Sequence, residues 1–249
     1  LALGQLYLKD QRYTSAQQVF AQVIRIEEKP KLAYIELGKT YQALNQFDAA
    51  RDAFFKAAAI DPADVEPLFL AGQLYLRAKQ PSEARQQFQR VLRVNKDYPL
   101  VNYYIGKAAL SMGSTSEAIE QANIEKSKNP GLADPYILAA DAYTELKQYG
   151  ACAGEYRKAV ELRPADSNMY VKMARCYRMS GNLDAALSMI NQAGIQESGN
   201  PEVWKEQGAI FEMRQDTLKA IEAYNQYLTI VPNAIDRAQI EMRINALSQ

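Results

Sequence analysis

A period of 34 residues runs through this chain, and it restricts the fold to an array of like units stacked on one another. Stepping by that interval from Tyr7 lands on Tyr41, Tyr75, Ala109, Tyr143, Tyr177 and Phe211, and no insertion breaks the register. Three residues before each stop stand Gly4, Gly38, Gly72, Gly106, Ala140, Ala174 and Gly208, so five of the 12 glycines share one phase. Nine residues after each stop come Ala16, Ala50, Ala84, Ala118, Cys152, Ala186 and Ala220, all small. Four further on lie Phe20, Phe54, Phe88, Ala122, Tyr156, Ile190 and Tyr224.

Within one period the spacing is helical. Tyr34, Leu37, Gly38 and Tyr41 recur on one face, and after a break Ala50, Phe54, Ala57 and Ala58 do the same. Each unit is therefore expected to be helix, turn, helix, with the two small columns marking where the paired helices cross closely. Asn45, Gly113 and Gly181 fall where the first helix should end in a left-handed residue. Thr14, Asp48, Ser82, Ser116 and Asp184 share a column suited to N-capping the second helix. Pro62, Pro130, Pro164 and Pro232 close second helices, because proline cannot continue the hydrogen-bond ladder.

These residues resemble the tetratricopeptide repeat family, whose pattern of a bulky residue, Leu, Gly, Tyr, Ala, Phe and Pro is matched by Tyr34, Leu37, Gly38, Tyr41, Ala50, Phe54 and Pro62. The resemblance implies an all-α fold, a right-handed superhelical solenoid of helical hairpins forming a single array over residues 1–249. Its repeats would cover about 1–30 (partial), 31–64, 65–98, 99–132, 133–166, 167–200 and 201–234. Ile240, Ile244 and Leu247 then line one side of a helix over 235–249, which would cap the last hairpin. The chain opens on Leu1 in mid-pattern, which suggests a piece of a longer protein. The fourth repeat departs most: Asn102, Ala109 and Ala122 replace bulky residues, and Glu125 and Lys126 replace apolar ones. Its second helix is expected to pack poorly, through simple drift or as a hinge between repeats 1–3 and 5–7.

The composition excludes several function classes. With no His, neither a Ser-His-Asp nor a Cys-His constellation can form, and the glycines sit 34 residues apart rather than in a phosphate-binding loop, so no enzyme, cofactor or metal is expected. Basic and acidic residues balance, 29 against 29, which disfavours nucleic acid. Trp204 and most of the 16 tyrosines fall on packing positions, not on a base-stacking stripe. No apolar run is long enough for membrane insertion. Cys152 and Cys176 read as small apolar residues, with a redox pair as the alternative.

In the family, first helices line a concave groove, and ligand-contacting positions lie one residue beyond the bulky first position and at four- and seven-residue steps from it. Carried over, the first column is Ile35, Phe69, Tyr103, Ile137 and Val171, the second Lys39, Gln73, Lys107, Asp141 and Arg175, and the third Gln42, Leu76, Leu110, Thr144 and Arg178, flanked by Arg77 and Lys9. Helices pack roughly 8–10 Å apart and an extended chain advances about 3.3 Å per residue, so a bound peptide would meet a new helix every third residue or so. The resemblance thus implies a non-catalytic scaffold or adaptor that takes a protein or peptide partner, such as an acidic-hydrophobic segment or an amphipathic helix. The groove would be built by Ile35, Lys39, Phe69, Gln73, Leu76, Arg77, Tyr103, Lys107 and Leu110, with Arg175 and Arg178 further along. The Lys and Asn pair that clamps a terminal carboxylate in the chaperone-tail subclass is absent. The alternatives are a structural spacer, a self-association module or the targeting arm of a larger protein. The style of the array suggests a bacterial protein of the cytoplasm or cell envelope.

Overall fold

The computed structural model describes residues 1–248, and among them there are 15 helices and no strand. Fourteen helices form seven successive hairpins: α1 (Ala2–Lys9) with α2 (Tyr13–Ile26), α3 (Lys31–Ala43) with α4 (Phe47–Ile60), α5 (Glu66–Arg77) with α6 (Pro81–Val94), and α7 (Val101–Ser111) with α8 (Thr115–Lys128). They continue with α9 (Ala133–Glu145) and α10 (Tyr149–Leu162), α11 (Ser167–Met179) and α12 (Leu183–Gln196), then α13 (Pro201–Met213) and α14 (Thr217–Ile230). The last helix, α15 (Arg237–Leu247), packs Ile240 against Tyr224, Tyr227 and Leu228, with Trp204 and Ile244 closing the cluster. The chain divides into two compact units, Leu1–Gln121 and the remainder from Ala122, with the boundary inside α8.

The small columns work differently from the sequence reading. Members of both columns do share buried clusters, Ala140 with Cys152 and Ala174 with Ala186, but four glycines of the first column also face an aromatic ring. A Cβ built on Gly4, Gly38 or Gly72 would stand 2.5 Å from a ring carbon of Phe20, Phe54 or Phe88, and one on Gly208 would stand 2.6 Å from Tyr224. The glycine removes its side chain so that a ring can fill the hairpin to interior density. The alanine column also borders the next joint: Ala50 clusters with Ala71 and Leu74 of α5, and Ala186 with Val203 and Ile210 of α13.

All seven hairpin turns share one geometry, of which the sequence revealed only part. Gln11, Asn45, Lys79, Gly113, Lys147, Gly181 and Gln215 each take a positive φ, from 57° to 83°. The following amide donates to the carbonyl five residues back, as in Gln46 N to Tyr41 O (2.9 Å) and Gln80 N to Tyr75 O (2.8 Å). The left-handed residue's own amide donates to the third carbonyl before it, as in Lys79 N to Leu76 O (3.1 Å). This pair of bonds is the Schellman stop. Four of the seven sites hold a Gln or Lys whose β-carbon disfavours that conformation. Lys79→Gly is therefore expected to raise stability by about 0.5–1 kcal/mol, and Gly113→Ala to lower it by a similar amount, in urea unfolding. A change of the opposite sign at either site would contradict the turn geometry.

The N-cap column is also displaced. Thr14, Asp48, Ser82, Ser116 and Asp184 lie inside their helices, while the capping positions are two residues earlier. There Asn182 accepts from Ala185 N and Asp216 from Lys219 N, whereas Arg12, Gln46, Gln80 and Gln148 give no side-chain cap. The carbonyl at the capping position accepts the first bond of the second helix whether or not the side chain caps, as in Ala50 N to Gln46 O (3.0 Å) and Ala186 N to Asn182 O (3.0 Å).

The polar residues of α8 are accommodated rather than loosely packed. Glu125 is fully buried and accepts from Asn129 Nδ2 at 2.6 Å, and Lys126 pairs with Glu155 at 2.7 Å. Asn102, where a bulky residue was expected, donates to Gln121 at 2.8 Å. Buried polar groups that find partners carry a much smaller penalty than orphaned ones.

Candidate partner-binding face

In the first unit the first helices α3, α5 and α7 carry nine of the eleven residues that the sequence singled out. Ile35 is 2% exposed and belongs to the core. Val171, in the same column, is buried in the same way. Val171 packs in one cluster with Val203 and Ile210 of the next first helix, α13.

Phe69 is only partly exposed and anchors an aromatic cluster, its ring 5.0 Å from Tyr98, 5.2 Å from Tyr104 and 5.6 Å from Phe88. It holds α5, α6 and α7 together. Tyr103 lies beside Tyr104 (5.0 Å), with the Lys107 ammonium 5.9 Å from the centre of its ring. Gln73, Leu76 and Leu110 are partly exposed. Leu76 also lines a cleft of 390 Å³ with Lys79, Pro81 and Ser111.

The cations divide sharply. Lys39 is drawn to Glu36 (3.6 Å) and Glu66 (3.4 Å). Arg77 and Lys107 are exposed, and neither has an ion pair among the described residues. In the second unit Arg175 and Arg178 converge on Glu206, which is only 3% exposed, at 3.1 and 2.6 Å, and Arg175 also meets Glu202 at 3.4 Å. Arg178 and Arg175 therefore neutralise a buried carboxylate of their own chain.

The second unit also holds a cleft of 230 Å³ between α9, α10 and α11, lined by Asp141, Thr144, Tyr156, Lys172, Arg175 and Cys176, among others. The Tyr156 hydroxyl donates to Asp141, and Lys172 approaches the same carboxylate at 3.1 Å. Burial, with the Asp141 charge beside it, pushes the Tyr156 hydroxyl far above the usual phenol range. Cys152 and Cys176 meet below this cleft and form a disulfide, their Cα atoms 6.0 Å apart. The reading of both as separate small apolar residues is thus corrected. A spacing of 24 residues in a chain with only two cysteines gave no framework signal, and only the stacking of α10 on α11 brings them together.

Tetratricopeptide repeat models match residues 7–68, 69–133 and 133–166, the same stretch in which the glycine-on-aromatic hairpins begin. The chain belongs to the tetratricopeptide repeat family. It is similar to the human mitochondrial import receptor subunit TOM70, with 26% identity over 217 residues, covering 84% of this chain and 36% of that protein. This chain thus spans about a third of that relative's length. Among solved structures, it resembles the C-terminal part of a tetratricopeptide repeat protein from Cytophaga hutchinsonii (TM-score 0.72, 17% identity, 96% of this chain and 98% of that one). It also resembles YrrB, described as having an unusual peptide-binding site (TM-score 0.63, 19% identity, 77% of this chain and 99% of that one). At these identities the structural likeness is one of fold. No helix among the described residues is long and apolar enough to cross a membrane.

Proposed function

We propose that this chain is a protein-interaction scaffold whose first unit takes an acidic-hydrophobic peptide segment on the face of α3, α5 and α7. Membership of the repeat family supports the scaffold role, and the observation that carries the finer reading is the pair Arg77 and Lys107. Both are exposed, both are free of ion pairs among the described residues, and they stand on neighbouring first helices beside Leu76, Tyr103 and Leu110. A ligand offering carboxylates between apolar side chains would satisfy both kinds of group at once. The charge contributes mainly to encounter rate and orientation, and the apolar contacts to lifetime. The neutralised cations of the second unit offer a poorer match, which supports the choice of the first unit for the proposed contact.

Phe69 is unsuitable as a probe of binding, because its loss would dismantle the aromatic cluster. The test therefore uses Arg77→Glu with Lys107→Glu, two surface changes expected to leave folding intact. Fluorescence anisotropy with labelled peptides alternating Glu or Asp with Leu should show binding to the native chain. The double variant should bind them at least about tenfold more weakly, the loss of roughly 1.4 kcal/mol that two rim charges can supply. Equal binding by both proteins, or stronger binding of a Lys-Leu peptide, would overturn this assignment.

A further inference from the structure

We propose that the Cys152–Cys176 bond is a reversible staple between the fifth and sixth hairpins, opened and closed by thiol–disulfide exchange that reaches Cys176 through the cleft above it. Exchange begins when a thiolate attacks one sulfur of a disulfide, so the accessible sulfur decides where it starts. Cys152 is fully buried among Ala140, Ala153, Tyr156 and Met173, with the Thr144 hydroxyl 3.0 Å from its sulfur. Cys176 belongs to the same cluster but lines the 230 Å³ cleft, while Cys152 does not. Lys172 and Arg175 stand at the opening, with side chains 45% and 42% exposed. Asp141 faces Lys172, and Glu202 and Glu206 face Arg175, so the positive charge is tempered; both cations remain partly in solvent, where an arriving thiolate meets them first.

With glutathione as the small thiol, its thiolate forms a bond to the Cys176 sulfur. The Cys152–Cys176 bond breaks, and Cys152 leaves as a thiolate and takes up a proton. A second glutathione thiolate then attacks the glutathione sulfur of the mixed disulfide, releasing oxidised glutathione and the Cys176 thiolate. Two glutathione thiols are oxidised and one protein disulfide is reduced; the reverse sequence closes the staple. The bond matters because hairpins in a repeat array are otherwise coupled only through contacts with their neighbours. Closing it also restricts the unfolded chain, so the oxidised protein should melt about 5–10 °C above the reduced one.

The distinguishing experiment uses Cys152→Ser and Cys176→Ser, each held under native conditions with oxidised glutathione and followed by intact mass. The cleft-lining thiol of Cys176, itself only 2% exposed, should acquire a single glutathione in Cys152→Ser, and the enclosed thiol of Cys152 none in Cys176→Ser. Equal modification of the two variants, or of neither, would overturn the assignment of Cys176. Should a variant fail to fold, the native chain still decides the matter. After oxidised glutathione it should show no alkylatable thiol in denaturant, and after excess reduced glutathione both thiols. Thiols that remain alkylatable after oxidation, or a disulfide between two chains, would remove the staple.

Discussion

Gly72→Val is expected to destabilise the first unit by about 3 kcal/mol in urea unfolding, among the largest effects available to a single substitution here. The cause is that a Cβ on Gly72 would lie 2.5 Å from the Phe88 ring, which is fully buried. Gly72→Ala should cost less, about 1–2 kcal/mol, because the gain in helix propensity of about 0.5–1 kcal/mol offsets part of the clash. Two companions isolate the mechanism. Gly154→Ala, in the middle of α10 with nothing within 4 Å of the added carbon, should instead stabilise by about 0.5–1 kcal/mol. Combining Gly72→Ala with Phe88→Leu should cost less than the sum of the two changes, because the ring that clashes is gone. If both glycine-to-alanine changes shift stability in the same direction, the ring contact is not what selects glycine at position 72.

Glu206→Ala should cost the second unit about 3 kcal/mol, again by urea unfolding. Glu206 is 3% exposed and receives Arg175 Nε at 3.1 Å and Arg178 Nε at 2.6 Å. Removing it leaves the Arg178 guanidinium, itself only 17% exposed, without its carboxylate. The penalty is mainly that of an uncompensated, poorly hydrated charge, not the net worth of the pair. Glu202 provides the contrast: its side chain is 40% exposed, and Glu202→Ala should change stability by less than about 1 kcal/mol. A cost for Glu206→Ala no greater than that for Glu202→Ala would mean that the two arginines are not held as described. It would also return Arg175 and Arg178 to the set of cations open to a partner.

Much of the fold was legible because the packing repeats with the same interval as the letters. The columns headed by Gly38 and Ala50 located both helices of each hairpin, and Pro62 and its equivalents located their ends. What could not be read was which neighbour each small residue touches. Periodicity shows that Gly38 and Ala50 share a buried phase, but only coordinates show Gly38 under the Phe54 ring and Ala50 beside α5. The left-handed turns were visible at Asn45, Gly113 and Gly181, whose types favour that conformation. Lys79 and Gln215 gave no such signal, since the flanking helices impose the turn on whatever residue stands there.

The candidate site was less legible, because a position that contacts ligand in one repeat contacts a neighbouring helix in another. Ile35 and Phe69 occupy equivalent places, yet one is wholly buried and the other props an aromatic cluster. Charge was misleading for a related reason. Arg77 and Arg178 look alike in sequence, and the difference lies in Glu206, 28 residues beyond Arg178 and on another hairpin. An aligned column names the side chain and says nothing of the carboxylate across from it.

The central physical claim is that Gly4, Gly38, Gly72 and Gly208 each receive the ring of the aromatic residue 16 positions later, and that this contact sets the packing of their hairpins. Nuclear Overhauser spectroscopy on the folded chain measures it directly. The Hα protons of Gly4, Gly38, Gly72 and Gly208 should each show strong cross-peaks to the ring protons of Phe20, Phe54, Phe88 and Tyr224, respectively. Cross-peaks from those glycines to Ala16, Ala50, Ala84 and Ala220 instead, with none to the rings, would contradict the packing on which the fold and its proposed partner face are built.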